Sequence, residues 1–268
     1  MQNKKVVVIT GASSGIGKAL AEKYIEEGWR VAIAARRKGL LESFSRQFKN
    51  ENIIAIQTDV SRESDCKRLI EETVGKFGRL DILINNAGIS MRASFLDLDI
   101  DVMKKVMDVN YWGTVYCSKY ALPYLLKTKG SLVGVISVGG FIGLPGRSAY
   151  SASKFAIKGF LETIRVENLK NGLHVLIAAP GFTTSEIRKS ALNAKGAQQG
   201  DTPRDEAKMM SAEECAEHIY NAIRNRKRQL VLTFLEGKFT VFLAKWWPKF
   251  VERLSYKMFA KEPESPLK

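Results

Sequence analysis

The sequence predicts an α/β fold in which one parallel sheet carries helices on both faces. Three observations predict it. Short apolar, β-branched runs alternate with amphipathic helical patterns, a glycine-rich turn joins the first run to the first helix, and no Pro-, Gly- or Ser-rich linker divides the chain. The 268 residues are 45% hydrophobic, which suffices for one buried core. We therefore predict one doubly wound domain over residues 1–235 and a C-terminal extension over residues 236–268.

The strands are predicted from seven apolar runs that have the length and composition of strands buried on both faces. These runs cover residues 4–10, 31–35, 53–58, 80–85, 132–137, 175–179 and 230–233. One helix follows the glycine turn and stops at Gly28, and further helical patterns cover about 39–49, 63–77, 100–127, 150–170 and 211–225. Since strand and helix alternate, the strands should be parallel. The polar stretch 183–210 is predicted to be a mobile loop region rather than part of the core.

The first strand–helix junction has the character of a phosphate-binding turn. Glycines let the backbone turn tightly and approach a diphosphate, whose charge then meets free N–H groups at the helix N-terminus. Tight turns without a ligand also use glycine, but the position at the first βα junction favours nucleotide binding and a Rossmann-like sheet. The candidate contact residues of this turn are Gly11, Ser13, Ser14, Gly15, Ile16 and Gly17.

A candidate catalytic pair lies on the helix predicted at 150–170. Tyr150 and Lys154 are four residues apart, so their side chains share one face. A tyrosine hydroxyl titrates near ~10, and a neighbouring ammonium lowers that pKa by stabilising the phenolate. Ser137 ends the fifth strand, where its hydroxyl could stabilise negative charge that develops on a substrate oxygen. Each residue alone is commonly structural, but the three together predict catalysis.

Five motifs, in this order along residues 4–233, resemble those of the short-chain dehydrogenase/reductase family. They are the turn of residues 10–17, Asp59-Val60, Asn85-Asn86-Ala87-Gly88, Ser137 with Tyr150-x-x-x-Lys154, and Pro180-Gly181. The resemblance implies an oxidoreductase with a nicotinamide cofactor.

The resemblance also implies roles for single residues. Asp59 would contact the adenine amino group and Val60 would line its pocket. Asn86, Gly88 and Lys154 would lie near the cofactor ribose, and Tyr150 would contact the cofactor as well as acting in catalysis. Further implied contacts are Pro180, Gly181 and Thr183 at the nicotinamide carboxamide, and Asn110, which would anchor a water for proton relay.

The end of the second strand predicts NADP(H) rather than NAD(H). A carboxylate there would accept hydrogen bonds from the ribose 2′-hydroxyl and repel a 2′-phosphate, whereas a basic side chain does the reverse. The strand ends in Arg36, Arg37 and Lys38 with no carboxylate, and a guanidinium binds phosphate in bidentate fashion. One position departs from the family pattern, because many NADP-preferring relatives carry Arg or Lys where this chain has Ser14.

The C-terminal extension concentrates positive charge among aromatic residues. The net charge is +14, and residues 224–268 hold 11 Lys/Arg against 4 Asp/Glu, which is about half of that excess. Residues 236–261 are too interrupted by charge to span a bilayer. Trp246 and Trp247 beside Lys245 and Lys249 suit a membrane interface. The alternative is a helix packed against the same subunit or across a dimer. The alternation of aromatic and basic residues could also suggest nucleic acid, but no other feature favours that partner.

The prediction is therefore an NADP(H)-dependent oxidoreductase that acts on a ketone or secondary alcohol, with a hydrophobic or lipid substrate such as a long-chain 3-keto base. The C-terminal half most resembles the acyl-dihydroxyacetone-phosphate and 3-ketodihydrosphingosine reductase branch. The alternative is a non-catalytic NADPH sensor or a membrane scaffold. The family's habit implies a homodimer or homotetramer. The 3 widely spaced cysteines indicate a reducing, cytoplasmic location, and the C-terminal extension could place the protein at the membrane surface. The 2 histidines lie apart from each other and from ligand clusters, so no metal site is predicted.

Overall fold

A seven-stranded parallel sheet forms the centre of the protein, whose computed structural model describes residues 4–48, 51–184, 186–200 and 209–267. The strand order is β3-β2-β1-β4-β5-β6-β7, and every neighbouring pair is parallel. The strands are β1 Val6–Thr10, β2 Arg30–Ala35, β3 Ile53–Gln57, β4 Ile82–Asn85, β5 Ser131–Val135, β6 His174–Ala179 and β7 Gln229–Val231. The predicted single-domain, doubly wound sheet is confirmed.

Helices cover both faces of this sheet. They are α1 Gly15–Glu26, α2 Lys38–Gln47, α3 Glu63–Phe77, α4 Ile100–Met107, α5 Gly113–Thr128, α6 Ser148–Glu167, α7 Ala212–Arg224, α8 Thr240–Trp246 and α9 Pro248–Ala260. Helices α1, α2 and α7 bury apolar residues against one face, and α3 to α6 do so against the other. Within β1, Val7 and Ile9 join the first core while Val6 and Val8 join the second, as expected from the alternation of side chains along a strand.

The helix predicted at 100–127 is interrupted. A π-helical turn, Asp108–Trp112, separates α4 from α5. Gly113 follows the turn and packs against Val60, whose Cγ2 lies 2.8 Å from the place where a side-chain Cβ would stand. Single π turns inside helices are frequent at functional sites, because the extra residue turns one side chain out of register. Here the turn carries Asn110.

The segment predicted as a mobile loop is partly packed where it is described. Residue 185 and residues 201–208 lie outside the described residues. Leu192 is buried, forms bridges with Met91 and Gln198, and belongs to the core beneath α3 to α6. Thr183 pairs in the same way with Met210. Leu192 therefore lines the site described below and also belongs to the core.

The C-terminal extension consists of a π-helical turn, Phe234–Phe239, followed by α8 and α9. Helix α9 buries Val251, Ser255 and Phe259, which recur at every fourth residue and so share one face of the helix. Its other face is exposed. In the parts of the chain that the structure describes, no helix combines the length and the apolar character that crossing a membrane requires.

Candidate active site

A cavity of about 410 Å³ lies at the carboxyl edge of the sheet. The chain leaves β1 for β2 on one side and returns to β4 on the other, so a crevice opens between the two crossovers, as is usual for ligand sites in doubly wound sheets. Its walls include Gly11 of the first turn, Ser137 after β5, and Tyr150 and Lys154 of α6. One continuous space therefore joins the predicted phosphate-binding turn to the predicted catalytic residues.

The glycine turn has the backbone geometry that the sequence predicts. Gly11 and Gly15 adopt φ values of +68° and +54°, in the region that favours glycine. At Gly17 a Cβ would stand 2.3 Å from the carbonyl oxygen of Gly11, so a side chain is excluded. Ser14 precedes α1 without a side-chain cap, and the first turn of the helix holds no acidic residue. The helix N-terminus is thus open to an anion.

Asn86 secures this turn. Its Nδ2 donates to the carbonyl of Thr10 at 2.9 Å, and the Thr10 hydroxyl accepts from the backbone N–H groups of Asn86 and Ala87, each at 3.0 Å. The Asn86 side chain therefore stabilises the glycine turn by a hydrogen bond and also lines the cavity. Gly88 leaves space beside the catalytic pair, because a Cβ there would stand 3.4 Å from Lys154 Nζ.

Arg37 lies directly over the glycine turn. Its Nη2 donates to the hydroxyls of Ser13 at 2.9 Å and Ser14 at 2.8 Å, and its Nη1 pairs with Glu186 at 3.0 Å. That contact lowers the pKa of Glu186. Arg37 therefore places a guanidinium from the end of β2 directly beside Ser14. Arg36 is exposed at the same cavity wall.

Asp59 and Val60 border the same cavity beyond β3. The Asp59 carboxylate accepts from the backbone N–H of Ser61 at 3.1 Å and from its hydroxyl at 2.7 Å. Its own N–H donates to Asp65 at 2.9 Å. The loop is therefore held from both sides, while Asp59 still faces the cavity in which the resemblance places an adenine.

Ser137, Tyr150 and Lys154 converge at the inner end of the cavity. The Ser137 hydroxyl caps a short 3₁₀ turn by accepting from Gly139 N at 3.2 Å. Lys154 is buried, donates from Nζ to the carbonyl of Val135 at 3.0 Å, and has that nitrogen 5.6 Å from the centre of the Tyr150 ring. The close grouping of these three side chains agrees with the sequence prediction.

The protonation of the pair differs from the predicted pattern. Burial raises the pKa of Tyr150 above its ordinary value, while a hydrogen bond from Ser137 and the charges of Arg147 and Arg188 pull it down without cancelling the effect of burial. Burial also lowers the pKa of Lys154 to about 8. The sequence reasoning assigned the lowering of the tyrosine pKa to Lys154. A role of Lys154 in lowering it stays a prediction, because the downward contributions resolved here come from Ser137 and the two arginines.

Asn110 is tied into the framework of the site. Its Oδ1 accepts from Ile89 N at 2.8 Å, and its Nδ2 donates to Ile89 O at 3.0 Å and to Ser153 Oγ at 2.9 Å. Ser153 in turn donates to the carbonyl of Tyr150 at 2.7 Å. The π turn is therefore connected to the catalytic helix, and water anchoring by Asn110 stays a prediction.

Pro180, Gly181 and Thr183 line the cavity after β6. Gly181 packs against Thr233, whose Oγ1 lies 2.5 Å from where a Cβ would stand, so this position also excludes a side chain. The carbonyl of Thr183 accepts from Arg188 at 2.9 Å. Contact with a carboxamide stays a prediction for these three residues.

Several cavity residues escaped the sequence reasoning. Arg147, Arg188, Phe259 and Glu262 also line the cavity. Arg147 stands three residues before Tyr150, and this nearness in sequence was its one available signal. Glu262 and Phe259 are brought to the site only by the folding of the C-terminal extension. Within the described residues, no three His, Cys, Asp or Glu side chains are grouped as metal ligands would be.

Comparison with known proteins identifies the family. Residues 5–196 match the family described as short chain dehydrogenase. Among relatives, 11-beta-hydroxysteroid dehydrogenase 1A of Arabidopsis thaliana is 38% identical over 84% of this chain and 67% of its own length. The 11-beta-hydroxysteroid dehydrogenase-like 2 protein of the same plant is 44% identical over 68% of this chain, which spans only 60% of that relative.

Solved structures agree at the level of the fold. A short-chain dehydrogenase from Streptomyces avermitilis superposes with a TM-score of 0.82 at 24% identity, over 97% of this chain and 98% of its own. An alcohol dehydrogenase from Thermococcus sibiricus, complexed with 5-hydroxy-NADP, superposes with a TM-score of 0.74 at 23% identity, over 85% of this chain and 94% of its own. The relatives carry hydroxysteroid dehydrogenase names rather than those of the lipid-ketone reductase branch that the C-terminal half suggested. With its family match, its sheet order and its Ser137, Tyr150 and Lys154 in one cavity, this chain belongs to the short chain dehydrogenase family of oxidoreductases.

Proposed function

We propose that the protein is an NADP(H)-dependent oxidoreductase that transfers hydride between nicotinamide and a ketone or secondary alcohol. One observation carries this proposal: Ser137, Tyr150 and Lys154 line the same cavity as the glycine turn. A non-catalytic NADPH sensor or a scaffold would not require three such side chains at the inner end of a cofactor cleft.

The residues of the cleft fit a dinucleotide phosphate. Gly11 and Gly17 leave no side chain between the turn and a diphosphate, and α1 offers its uncapped N-terminus. Arg37 extends over Ser13 and Ser14, where a 2′-phosphate on the adenosine ribose would find a guanidinium. When bound, the cofactor supplies or accepts the hydride. We assign Asp59 and Val60 to the adenine side of the cleft and Pro180, Gly181 and Thr183 to the nicotinamide side.

Tyr150 is proposed as the proton donor and acceptor. Because burial raises its pKa, its hydroxyl is protonated at neutral pH and ready to donate to the substrate oxygen during ketone reduction. Ser137 hydrogen-bonds to this hydroxyl and would hold the same substrate oxygen, where negative charge develops. In alcohol oxidation the direction of proton transfer reverses.

Lys154 is proposed to position the cofactor ribose and to influence proton transfer through its own protonation. Its Nζ lies beside Gly88 and donates to Val135 O, which fixes the side chain in the floor of the cavity. With a pKa of about 8, the ammonium is charged at neutral pH but gives up its proton in mildly alkaline solution.

The substrate is proposed to be a hydrophobic ketone or alcohol. Apolar side chains, including Leu144, Ile187, Leu192 and Phe259, border the cavity. The names of the plant relatives suggest a bulky polycyclic substrate, and the aromatic C-terminal extension suggests a long-chain one such as a 3-keto base. Both are hydrophobic, so the first assays should include a steroid ketone and a long-chain 3-keto base. The proposed homodimer or homotetramer would have exposed Trp112 and Phe155 available as apolar contact surface.

We also propose that the C-terminal extension docks on an anionic bilayer. Its exposed residues include Phe242, Trp246, Trp247 and Phe250, between 55% and 68% exposed. Residues 234–261 hold 6 Lys/Arg against 2 Asp/Glu, which favours a negatively charged surface. Aromatic rings beside lysines suit the headgroup layer, where the ring enters and the ammonium stays hydrated.

Replacing Tyr150 with phenylalanine removes the proposed proton donor and little else. We expect Y150F to lower kcat for ketone reduction by about 10²- to 10⁴-fold. NADPH binding, followed by cofactor fluorescence, should change by less than about twofold, since the proposed phosphate contacts of the glycine turn and Arg37 remain in this variant. Tyr120→Phe on α5, which loses only a hydroxyl bonded to Glu63, is the matched control. Wild-type turnover by Y150F would exclude the mechanism and favour a non-catalytic role.

Removing the Arg37 guanidinium should weaken the binding of NADPH much more than that of NADH. We expect Arg37→Ala to raise the Kd for NADPH about 10- to 100-fold, the cost of losing a charge-assisted contact, and that for NADH by less than about twofold. Fluorescence titration of both cofactors measures this. Arg46→Ala, at the exposed far end of α2, is the control. Equal weakening of both cofactors would mean that Arg37 only supports the glycine turn through Ser13 and Ser14.

Burial of Lys154 predicts a specific dependence of stability on pH. Its pKa falls from 10.5 to about 8 on folding, so between these values the unfolded chain holds a proton that the folded chain has released. Stability therefore rises with pH in that window. From pH 8 to 9.5 wild type should gain about 1 to 2 kcal/mol in the free energy of unfolding relative to Lys154→Met.

Urea unfolding of the cofactor-free protein at several pH values between 7.5 and 9.5 provides the measurement. Lys76→Met, which removes an exposed lysine of α3, should retain the wild-type pH dependence. If Lys154→Met also retains it, Lys154 does not release its proton in this range.

Vesicle binding tests the docking surface. Wild type should sediment with phosphatidylserine-containing vesicles and much less with pure phosphatidylcholine vesicles. The double variant W246A/W247A should bind the anionic vesicles roughly tenfold more weakly, since two interfacial rings are lost. Trp112→Ala, which removes an exposed tryptophan before α5, is the control. A dimer that dissociates in W246A/W247A, without vesicle binding by wild type, would assign the surface to a second copy of the chain.

A further inference from the structure

The C-terminal segment after the sheet reaches back to the catalytic end of the cavity. Phe259, the last buried residue of α9, lines the cavity together with Tyr150 and is 5% exposed. Glu262 follows one turn later and lines it as well. Beyond it, Ser265 is buried and Pro266 packs on Gly146, just before the catalytic helix. The segment 259–267 therefore contributes Phe259 and Glu262 to a wall of the cavity.

A buried charge cluster holds this wall. The Glu262 carboxylate lies 3.6 Å from Arg92 Nη2 and 4.0 Å from Arg147 Nη2, and the three side chains are only 7%, 7% and 13% exposed. Arg92 also donates to the carbonyl of Pro263. A carboxylate buried at this depth needs its cationic partners, because an unpaired buried charge is strongly disfavoured. The position of the segment is thus fixed by ion pairs as well as by apolar packing.

The cluster joins three parts of the chain that are far apart in sequence. Arg92 belongs to the loop after β4, and its backbone N–H donates to Leu192 of the segment after β6. Arg147 immediately precedes α6, three residues before Tyr150. Any shift of Glu262 therefore alters the wall opposite the catalytic tyrosine, while the glycine turn lies at the other end of the cavity.

We propose that Phe259 is a specificity-determining residue that packs against the apolar body of the substrate, and that Glu262 is the positioning residue that holds it there through Arg92 and Arg147. This inference rests on the proposed oxidoreductase function and names the part of the chain that selects for large apolar substrates. A substrate that fills the cavity reaches Phe259, whereas a compact ketone bound at Ser137 and Tyr150 does not.

The test compares a large and a compact ketone. The probes are 5α-androstane-3,17-dione and 2,3-butanedione, each assayed with NADPH for wild type, Phe259→Ala and Glu262→Gln. We expect the loss of kcat/KM for the large ketone to exceed the loss for the compact one by about tenfold or more in Phe259→Ala, because apolar contact is lost only for the substrate that reaches it. The loss should appear mainly in KM.

The positioning role has its own measurement. Hydrogen exchange of residues 259–267 should be slow in wild type and clearly faster in Glu262→Gln, without a matching increase in α1 or α3. Leu254→Ala, on the exposed face of α9, should alter neither the ketone selectivity nor this exchange. If Glu262→Gln fails to fold, Phe259→Ala still tests whether this part of the cavity wall determines substrate specificity.

The outcomes separate this inference from the proposed function. Absence of NADPH binding, or wild-type turnover by Y150F, contradicts the oxidoreductase proposal itself. With turnover intact, equal losses for the two ketones in Phe259→Ala overturn the specificity role. Unchanged exchange in Glu262→Gln overturns the positioning role whether or not either ketone is reduced.

Discussion

The whole site depends on the close backbone contact between the glycine turn and the loop after β4. A Cβ on Gly11 would stand 2.8 Å from Ala87 Cα, and one on Gly17 would stand 2.3 Å from Gly11 O, so no side chain separates these segments. The Thr10 hydroxyl and the Asn86 amide then join them by hydrogen bonds. Because of this contact, the N-terminus of α1 and the end of β4 border one crevice, which extends to the catalytic residues on α6.

The catalytic end of the crevice carries groups that favour function over stability. Lys154 is buried with a lowered pKa, so its charged form is disfavoured by the fold that positions it. The π turn at Asn110 interrupts what would otherwise be one long helix. In this position the Asn110 side chain forms hydrogen bonds with both Ile89 and Ser153. Local irregularities of this kind are expected where a scaffold orients reactive groups.

The C-terminal extension has two faces with different partners. Its inner residues, Phe259 and Glu262, complete the cavity and bind the arginines around Tyr150. Its outer aromatic residues, among them Trp246 and Trp247, remain exposed beside lysines. The same short segment thus carries both the proposed selection of an apolar substrate and the proposed contact with an anionic bilayer.

The sequence by itself determined the sheet, its parallel strands and the three catalytic candidates, because buried strands, a glycine turn and a helical Tyr–Lys spacing are local patterns. It also indicated a cation for the 2′-phosphate, although only the fold showed that Arg37 lies over Ser13 and Ser14. Tertiary structure alone decided the π turn, the source of the shifts at Tyr150 and the arrival of Glu262 beside Arg92 and Arg147. Burial and charge pairing bring together residues as distant in sequence as Arg92 and Pro263, which are 171 positions apart, and no local pattern encodes such contacts.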